Sequence, residues 1–418
     1  MTTYSLPYGK THLTFEIPSN LDADLIIPNK VSACPDGLEE VKRALIQPVG
    51  SAVLSLNHVH SVVITVNDKT RPVPNHLILP PLLDLLSQAG IPDEHITLMI
   101  ATGTHQPMRK DEFSQVLPQD IVDRYPIISH NCDNENNLKY LGITSSGTPV
   151  WVNRQFHAAD LKIVTGSIEP HHFQGYSGGA KSASVGVCGR KTINHNHAMM
   201  LDGNARMGVY DSNPTRQDVE EIGDILGIHF ALNVVMNTEK DIVEAFFGTP
   251  REVMKAGIPV AQKVYETPIN GKYDLVIASA GGHPKDINLY QAQKGLTHAS
   301  LLTRDGGVVI LTAACPEGSG SESFEAFMEG LKSYQDVFDK FKNDGFKVGP
   351  HKAFQIARDA NRVKVILLSD IPDPLVEKFL LFPAHDPQMA LMHALDSLPP
   401  QPRIAIMPKA TSTIPATI

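Results

Sequence analysis

Three β-branched runs in the first half of the chain each end in a loop of glycine and polar residues, and this alternation limits the fold most. The runs are SVVITVND (61–68), HITLMIATGT (95–104) and LKIVTGS (161–167). Short continuous apolar runs of this kind predict strands buried on both faces. Between the first two lies HLILPPLLDLLSQA (76–89), with leucines at 79, 82, 83 and 86 on one helical stripe and Gly90 as its stop. Strand, helix, strand in this order is the signature of a parallel sheet. Such sheets bind their ligands beyond the carboxyl ends of the strands, which is where these polar loops fall.

The pattern continues. Asn213-Pro214 opens a helix with Val219, Ile222, Ile225 and Leu226 on one face. Thr249-Pro-Arg-Glu252 is a capping box that starts another, running to about Tyr265. After the turn-rich stretch TPINGKYD (267–274), a second series begins: strands at 274–282, 306–315, 362–370 and 403–408, with helices at 289–302 and 321–331. The expected fold is α/β with two domains, each a largely parallel sheet flanked by helices, and the active-site cleft between them. The boundaries expected are 1–268 for an N-terminal cofactor-anchoring and catalytic domain and 269–400 for a Rossmann-like C-terminal domain. Residues 401–418 would be a last strand and a tail returning to the first domain.

Composition narrows the function. Of 418 residues, 42% are hydrophobic and 19% charged, enough for sizeable cores. A formal net charge of −9 argues against a nucleic-acid coat or a membrane-surface protein. The four cysteines, Cys34, Cys132, Cys188 and Cys315, are scattered and form no C-x-x-C. With no basic-then-apolar start and no long apolar run, the expectation is a reduced, cytoplasmic chain without a membrane span.

Five constellations carry chemistry. Asp68-Lys-Thr-Arg71-Pro72 follows the first strand; its carboxylate and guanidinium suit hydroxyl and anion binding, although a surface turn with a local ion pair would read the same. Thr102-Gly-Thr-His105 follows the second and places an imidazole for acid/base work, one histidine among 18. EPHHFQGYSGGAKS (169–182) follows the third. Its segment 175–182 is one residue short of a phosphate loop, since Ala180 precedes Lys181 where that motif needs glycine. With VVITVND it suggests a nucleotide-dependent enzyme using Lys181 on phosphate, but the order of elements is wrong for that class. Asn194-His-Asn-His197 offers imidazoles without neighbouring carboxylates or thiols in ligand spacing. Asp286-Ile-Asn-Leu-Tyr290-Gln291-Ala-Gln-Lys294 puts Tyr290, Gln291 and Lys294 on one helix face. A non-catalytic small-acid binding protein also accommodates these features.

Taken in order, D-K-T-R-P, G-T-H, E-P-H-H-F-x-G-Y-S-G-G-A-K, a following histidine and Y-Q-x-x-K closely resemble the nickel-pincer-dependent lactate racemase family, the 2-hydroxyacid racemases and epimerases. The resemblance implies a pyridinium-3,5-bisthiocarboxylic acid mononucleotide joined covalently to Lys181, with nickel held by its two sulfurs and one carbon and by His197. It implies cofactor contacts from Asp68, Lys69, Thr70, Arg71, Gly178 and Gly179. It gives His105 and His171 the acid/base roles, with His172 structural, and substrate binding to Arg71, Tyr290, Gln291 and Lys294. The implied reaction inverts the α-carbon of a 2-hydroxycarboxylate by reversible hydride transfer. The partners would be that small acid and cofactor-maturation enzymes. One departure stands out: the family's second-domain tryptophan is missing. The only tryptophan is Trp151, and GPHKAFQIAR (349–358), with His351 and Phe354, lies nearest the expected place. Malate, longer aliphatic or aryl 2-hydroxyacids and sugar acids therefore join lactate as candidate substrates.

Overall fold

The computed structural model describes residues 1–51, 54–56 and 58–417. It divides into two compact units, residues 30–264 and residues 1–29 with 265–418.

In the unit 30–264, a six-stranded sheet runs in the order Ile242–Gly248, Phe230–Met236, Leu161–Ser167, Val62–Asn67, Ile96–Ala101, Ile127–Ser129. All neighbours are parallel except the antiparallel pair of 230–236 with 242–248 at one edge. The chain lays down its first three strands outward in one direction. It then returns to the other side of Val62–Asn67 and builds the remaining three. Loops leaving the adjacent strands Val62–Asn67 and Leu161–Ser167 therefore part in opposite directions, which opens a crevice at their carboxyl ends. Inward residues such as Ile64, Val66, Leu98, Ile100 and Val234 pack with Ile78, Leu79, Leu82 and Leu86 of the helix Asn75–Gln88. The leucine stripe is thus the sheet-facing side of that helix. The helix Pro214–Leu226 ends on Gly227 in a left-handed conformation (φ 66°). The helix Pro250–Tyr265 begins after Thr249, whose Oγ1–H donates to the Glu252 carboxylate at 2.7 Å.

The other unit contains a six-stranded sheet, all parallel, in the order Phe382–Ala384, Lys364–Leu368, Thr303–Thr312, Tyr273–Ser279, Ile404–Met407, Ala23–Leu25. An antiparallel hairpin, Thr2–Tyr8 with Thr11–Ile17, adds Leu6, Phe15 and Ile17 to its core.

Two boundary expectations are corrected. Residues 1–29 belong with 265–418, because Ala23–Leu25 pairs with Ile404–Met407 as an edge strand. The last strand and tail do not return to the first domain either. Ile404–Met407 lies inside the second sheet, beside Tyr273–Ser279, and Ile414–Thr417 pairs with Glu266–Ile269. The helix expected at 321–331 is shorter, Glu322–Phe327. Among the described residues, no helix is long and apolar enough to cross a membrane.

Candidate active site

The crevice in the unit 30–264 is a cavity of about 190 Å³. Asp68 and Arg71, Thr102 to His105, and Ser167, His171, Gly178 and Lys181 reach it from three neighbouring strand ends. His197 joins them from the helix Arg190–Ala198.

Asp68 and His105 form a dyad. The imidazole Nδ1 lies 2.7 Å from Asp68 Oδ2. The Thr70 hydroxyl (2.7 Å) and amide (3.0 Å) both donate to Asp68 Oδ1. Burial by itself would raise the Asp68 carboxyl. The hydrogen bonds from His105 and Thr70 outweigh it and hold the group below its ordinary range. A carboxylate at Nδ1 fixes the ring proton there and leaves the lone pair on Nε2, the state of a general base.

His171 is set differently. A short antiparallel hairpin, Pro170–His171 with Gly175–Tyr176, carries it to the cavity. Its Nδ1 accepts the Gln174 amide N–H at 3.2 Å, so in the neutral ring the proton sits on Nε2. Desolvation first, then the charges of Lys181, His172, Arg71 and His197, push its pKa well below the usual histidine value. Among these neighbours the neutral form of the His171 ring is favoured. His172 lies beside it, ring centroids 5.8 Å apart and planes tilted by 55°, and is not part of the cavity wall.

Lys181 begins the short helix Lys181–Ser184 at the cavity wall. Burial, then Arg71 and Arg216, lower its pKa well below the usual lysine value, against a smaller opposing effect from Glu169. The group is thereby biased to the neutral amine, a nucleophile more than a phosphate clamp.

The glycine loop owes its shape to protein contacts. A Cβ on Gly178 (φ 88°) would stand 2.9 Å from Ile168 Cγ1, and one on Gly179 (φ 57°) 2.6 Å from Met254 Cγ. Arg216, fully buried, is paired with Glu220 and donates to the carbonyls of Tyr176 (2.9 Å) and Gly178 (3.1 Å). The Gly179 amide donates to Asn233 Oδ1 at 2.7 Å. Sequence reasoning did not find Arg216 or Asn233. The only signal for the first was an Arg–Glu pair at i, i+4, which normally marks a solvated helix face.

Several expected cofactor contacts are placed elsewhere. Gly178 lines the cavity, but Gly179 does not. The Thr70 hydroxyl serves Asp68. Lys69 pairs with Glu112 at 2.6 Å and lines a second cavity of about 350 Å³. On the helix Arg190–Ala198, His197 turns to the cavity and packs edge-on against Phe173. His195 bonds Thr148 at 2.9 Å instead. Trp151 packs on Tyr140 and is not among the residues lining the cavity.

Tyr290, Gln291 and Lys294 lie in the other unit, on the first turns of the helix Leu289–Leu302. Gln291 Oε1 accepts from Lys294 Nζ at 3.0 Å. His351 meets the Tyr290 ring edge-on, and Lys352 Nζ stands 4.9 Å from its centroid. Phe354 is committed to the core, stacked on Phe341.

A family model for the lactate racemase N-terminal domain matches residues 8–208, and one for the lactate racemase C-terminal domain matches residues 269–414. The chain belongs to the lactate racemase family. The lactate racemase of Thermoanaerobacterium thermosaccharolyticum is 32% identical over 425 residues, covering 99% of each chain. That of Lactiplantibacillus plantarum is 32% identical over 387 residues, covering 90% of each. The structure of the Thermoanaerobacterium lactate racemase apoprotein superposes with a TM-score of 0.89 at 30% identity, over 99% of this chain and 100% of that one. A Thermotoga maritima protein shares the fold at 17% identity, with a TM-score of 0.62 over 91% of this chain and 97% of that one.

Proposed function

We propose that this lactate racemase family member inverts the α-carbon of a 2-hydroxycarboxylate, lactate first among the candidates, with the nickel-pincer nucleotide attached to Lys181. The observation that carries the reading is the meeting of an Asp–His dyad, a second histidine, a neutral-leaning lysine and His197 on one cavity.

The residues suit that group. A suppressed lysine charge favours acylation of Nζ. Among the described residues, no three His, Cys, Asp or Glu side chains gather as a metal site. A metal here would therefore draw most of its ligands from a non-protein group, with His197 adding one. When bound, the pincer nucleotide accepts the α-hydrogen as hydride and returns it.

The chain's own residues handle the proton and the carboxylate. His105 Nε2 takes the hydroxyl proton while Asp68 stabilises the resulting imidazolium. With the hydroxyl proton on His105, loss of the α-hydrogen as hydride would leave a planar 2-keto acid. Turned in the cavity, that keto acid would accept hydride on its other face, and its oxygen would regain a proton. His171 presents Nε2–H to the substrate oxygen. It acts as a base from the other side only after exchanging its ring proton, at the expense of the Gln174 contact. Arg71 binds the substrate carboxylate, and Tyr290, Gln291 and Lys294 belong to the same proposal as substrate-binding residues.

A phosphate-clamping role for Lys181 is less well supported, because its charge is suppressed and the Gly179 amide is already bonded to Asn233. The test is racemisation of α-deuterated 2-hydroxyacids by protein co-expressed with cofactor-maturation enzymes. Deuterium retained in the inverted product is expected, together with a mass increment on Lys181. Complete exchange of deuterium with water would overturn the mechanism.

A further inference from the structure

A buried polar network runs from Asp218 to His197. Asp218 is 1% exposed and accepts from the hydroxyls of Thr144 (2.6 Å) and Thr148 (2.9 Å) and from Asn196 Nδ2 (2.9 Å). Asn196, also 1% exposed, donates from the same nitrogen to the Thr215 carbonyl at 2.8 Å. A backbone carbonyl only accepts, so this contact fixes the orientation of the Asn196 amide. Its Oδ1 is consequently an acceptor, and it receives Gln174 Nε2–H at 2.8 Å. The second group on that oxygen is His197 Nδ1, at 3.1 Å. An amide oxygen has no proton to give, so His197 Nδ1 must carry one. In the neutral ring the lone pair then belongs to Nε2.

We infer that Asn196, held by Asp218 and Thr215, is a positioning residue that fixes His197 as the Nδ1–H tautomer and so makes Nε2 its metal-ligating atom. The inference rests on the proposal that His197 is the protein ligand to nickel. Orienting hydrogen bonds behind a metal-binding histidine set its tautomer and ring direction, and their loss typically costs about 10–100-fold in metal affinity. The carboxylate acts here through an intervening amide. The same amide also holds the Gln174 side chain, and the Gln174 backbone sets the tautomer of His171. One buried asparagine thus sits behind two cavity histidines.

The test begins with the full-length chain before cofactor loading, labelled with 15N-histidine. Long-range imidazole 1H–15N correlations report the tautomer at alkaline pH, and His197→Gln identifies the resonances. Nδ1–H is expected for His197. In Asn196→Leu the ring should drift to a mixture of tautomers. The loaded variant should lose nickel about 10–100-fold more readily to a chelator, with the mass increment on Lys181 retained. An Nε2–H ring in the unsubstituted chain overturns the inference without any variant having to fold. Unchanged tautomer and nickel retention in Asn196→Leu also overturn it. Failure of the parent proposal reads differently: no mass increment appears on Lys181 under any condition, while the tautomer of the unloaded chain is still measured.

Discussion

The carboxyl ends of the two six-stranded sheets are built from the same kinds of residue and put them to opposite use. In the unit 30–264, the strand-end segments bring His105, His171 and Lys181 to a cavity that His197 also lines, from the helix Arg190–Ala198. In the other unit the turn of the N-terminal hairpin occupies the corresponding ends. Ser279 Oγ–H donates to the Pro7 carbonyl at 2.5 Å, and the Tyr8 hydroxyl donates to Asp370 at 2.6 Å. The buried Asp286 accepts the amides of Gly9 (2.7 Å) and Ala314 (3.2 Å). A parallel sheet supplies a place for chemistry; whether chemistry occurs there depends on what the strand-end groups are already bonded to.

The sharpest test of this contrast is Lys181→Arg. It keeps a cation but removes the amine that would be acylated, so racemisation and the mass increment should both vanish. A phosphate clamp would retain partial activity with arginine. Next is the dyad. His105→Ala should lower kcat about 10²–10⁴-fold, the usual range for a general base, and Asp68→Asn should follow it in part by releasing the ring orientation. Because the folded Asp68 pKa lies below its ordinary value, the dyad's contribution to stability is complete above the normal aspartate range. It is lost as pH falls through the depressed value. A thermal-unfolding series in acid should show a shallower pH dependence for Asp68→Asn than for the unsubstituted chain.

Below these come effects on stability. Arg216→Ala leaves Glu220 as a buried uncompensated charge and frees the carbonyls of Tyr176 and Gly178. About 3–5 kcal/mol of stability should be lost, readable by denaturant titration. If Arg216→Ala unfolds no more easily, the glycine loop is held by something other than its buried guanidinium.

Much of this was legible in the amino-acid order, and the limits are physical. Buried parallel strands announce themselves as β-branched runs, so 62–67, 96–101 and 161–167 were readable, as was the helix Leu289–Leu302. The strands Phe230–Met236 and Ile242–Gly248 were overlooked between two strongly capped helices. Ala23–Leu25 is too short to carry a pattern, and its partner lies near the far end of the chain. At the site, the motifs brought His105, His171, Lys181 and His197 to one cavity. They could not show that Asp68 belongs to His105 or that Gly179 serves the fold, because both depend on contacts with residues distant in sequence. Nor could they show the lowered pKa of His171, which burial and neighbouring cations set, neither of them written in a local motif.

The smallest expected effect lies at the satisfied sheet end. Tyr8→Phe removes one partly exposed hydrogen bond to Asp370 and leaves the ring in place. Net hydrogen-bond contributions are about 1 kcal/mol and less where solvent can substitute, so the melting temperature should fall only slightly. Racemisation per folded chain should not change, since Tyr8 is bonded within its own unit and carries no step of the proposed reaction. A large fall in kcat with unaltered melting would mean that the hairpin turn takes part in catalysis. The hairpin turn would then be more than a structural cover on the ends of its own sheet.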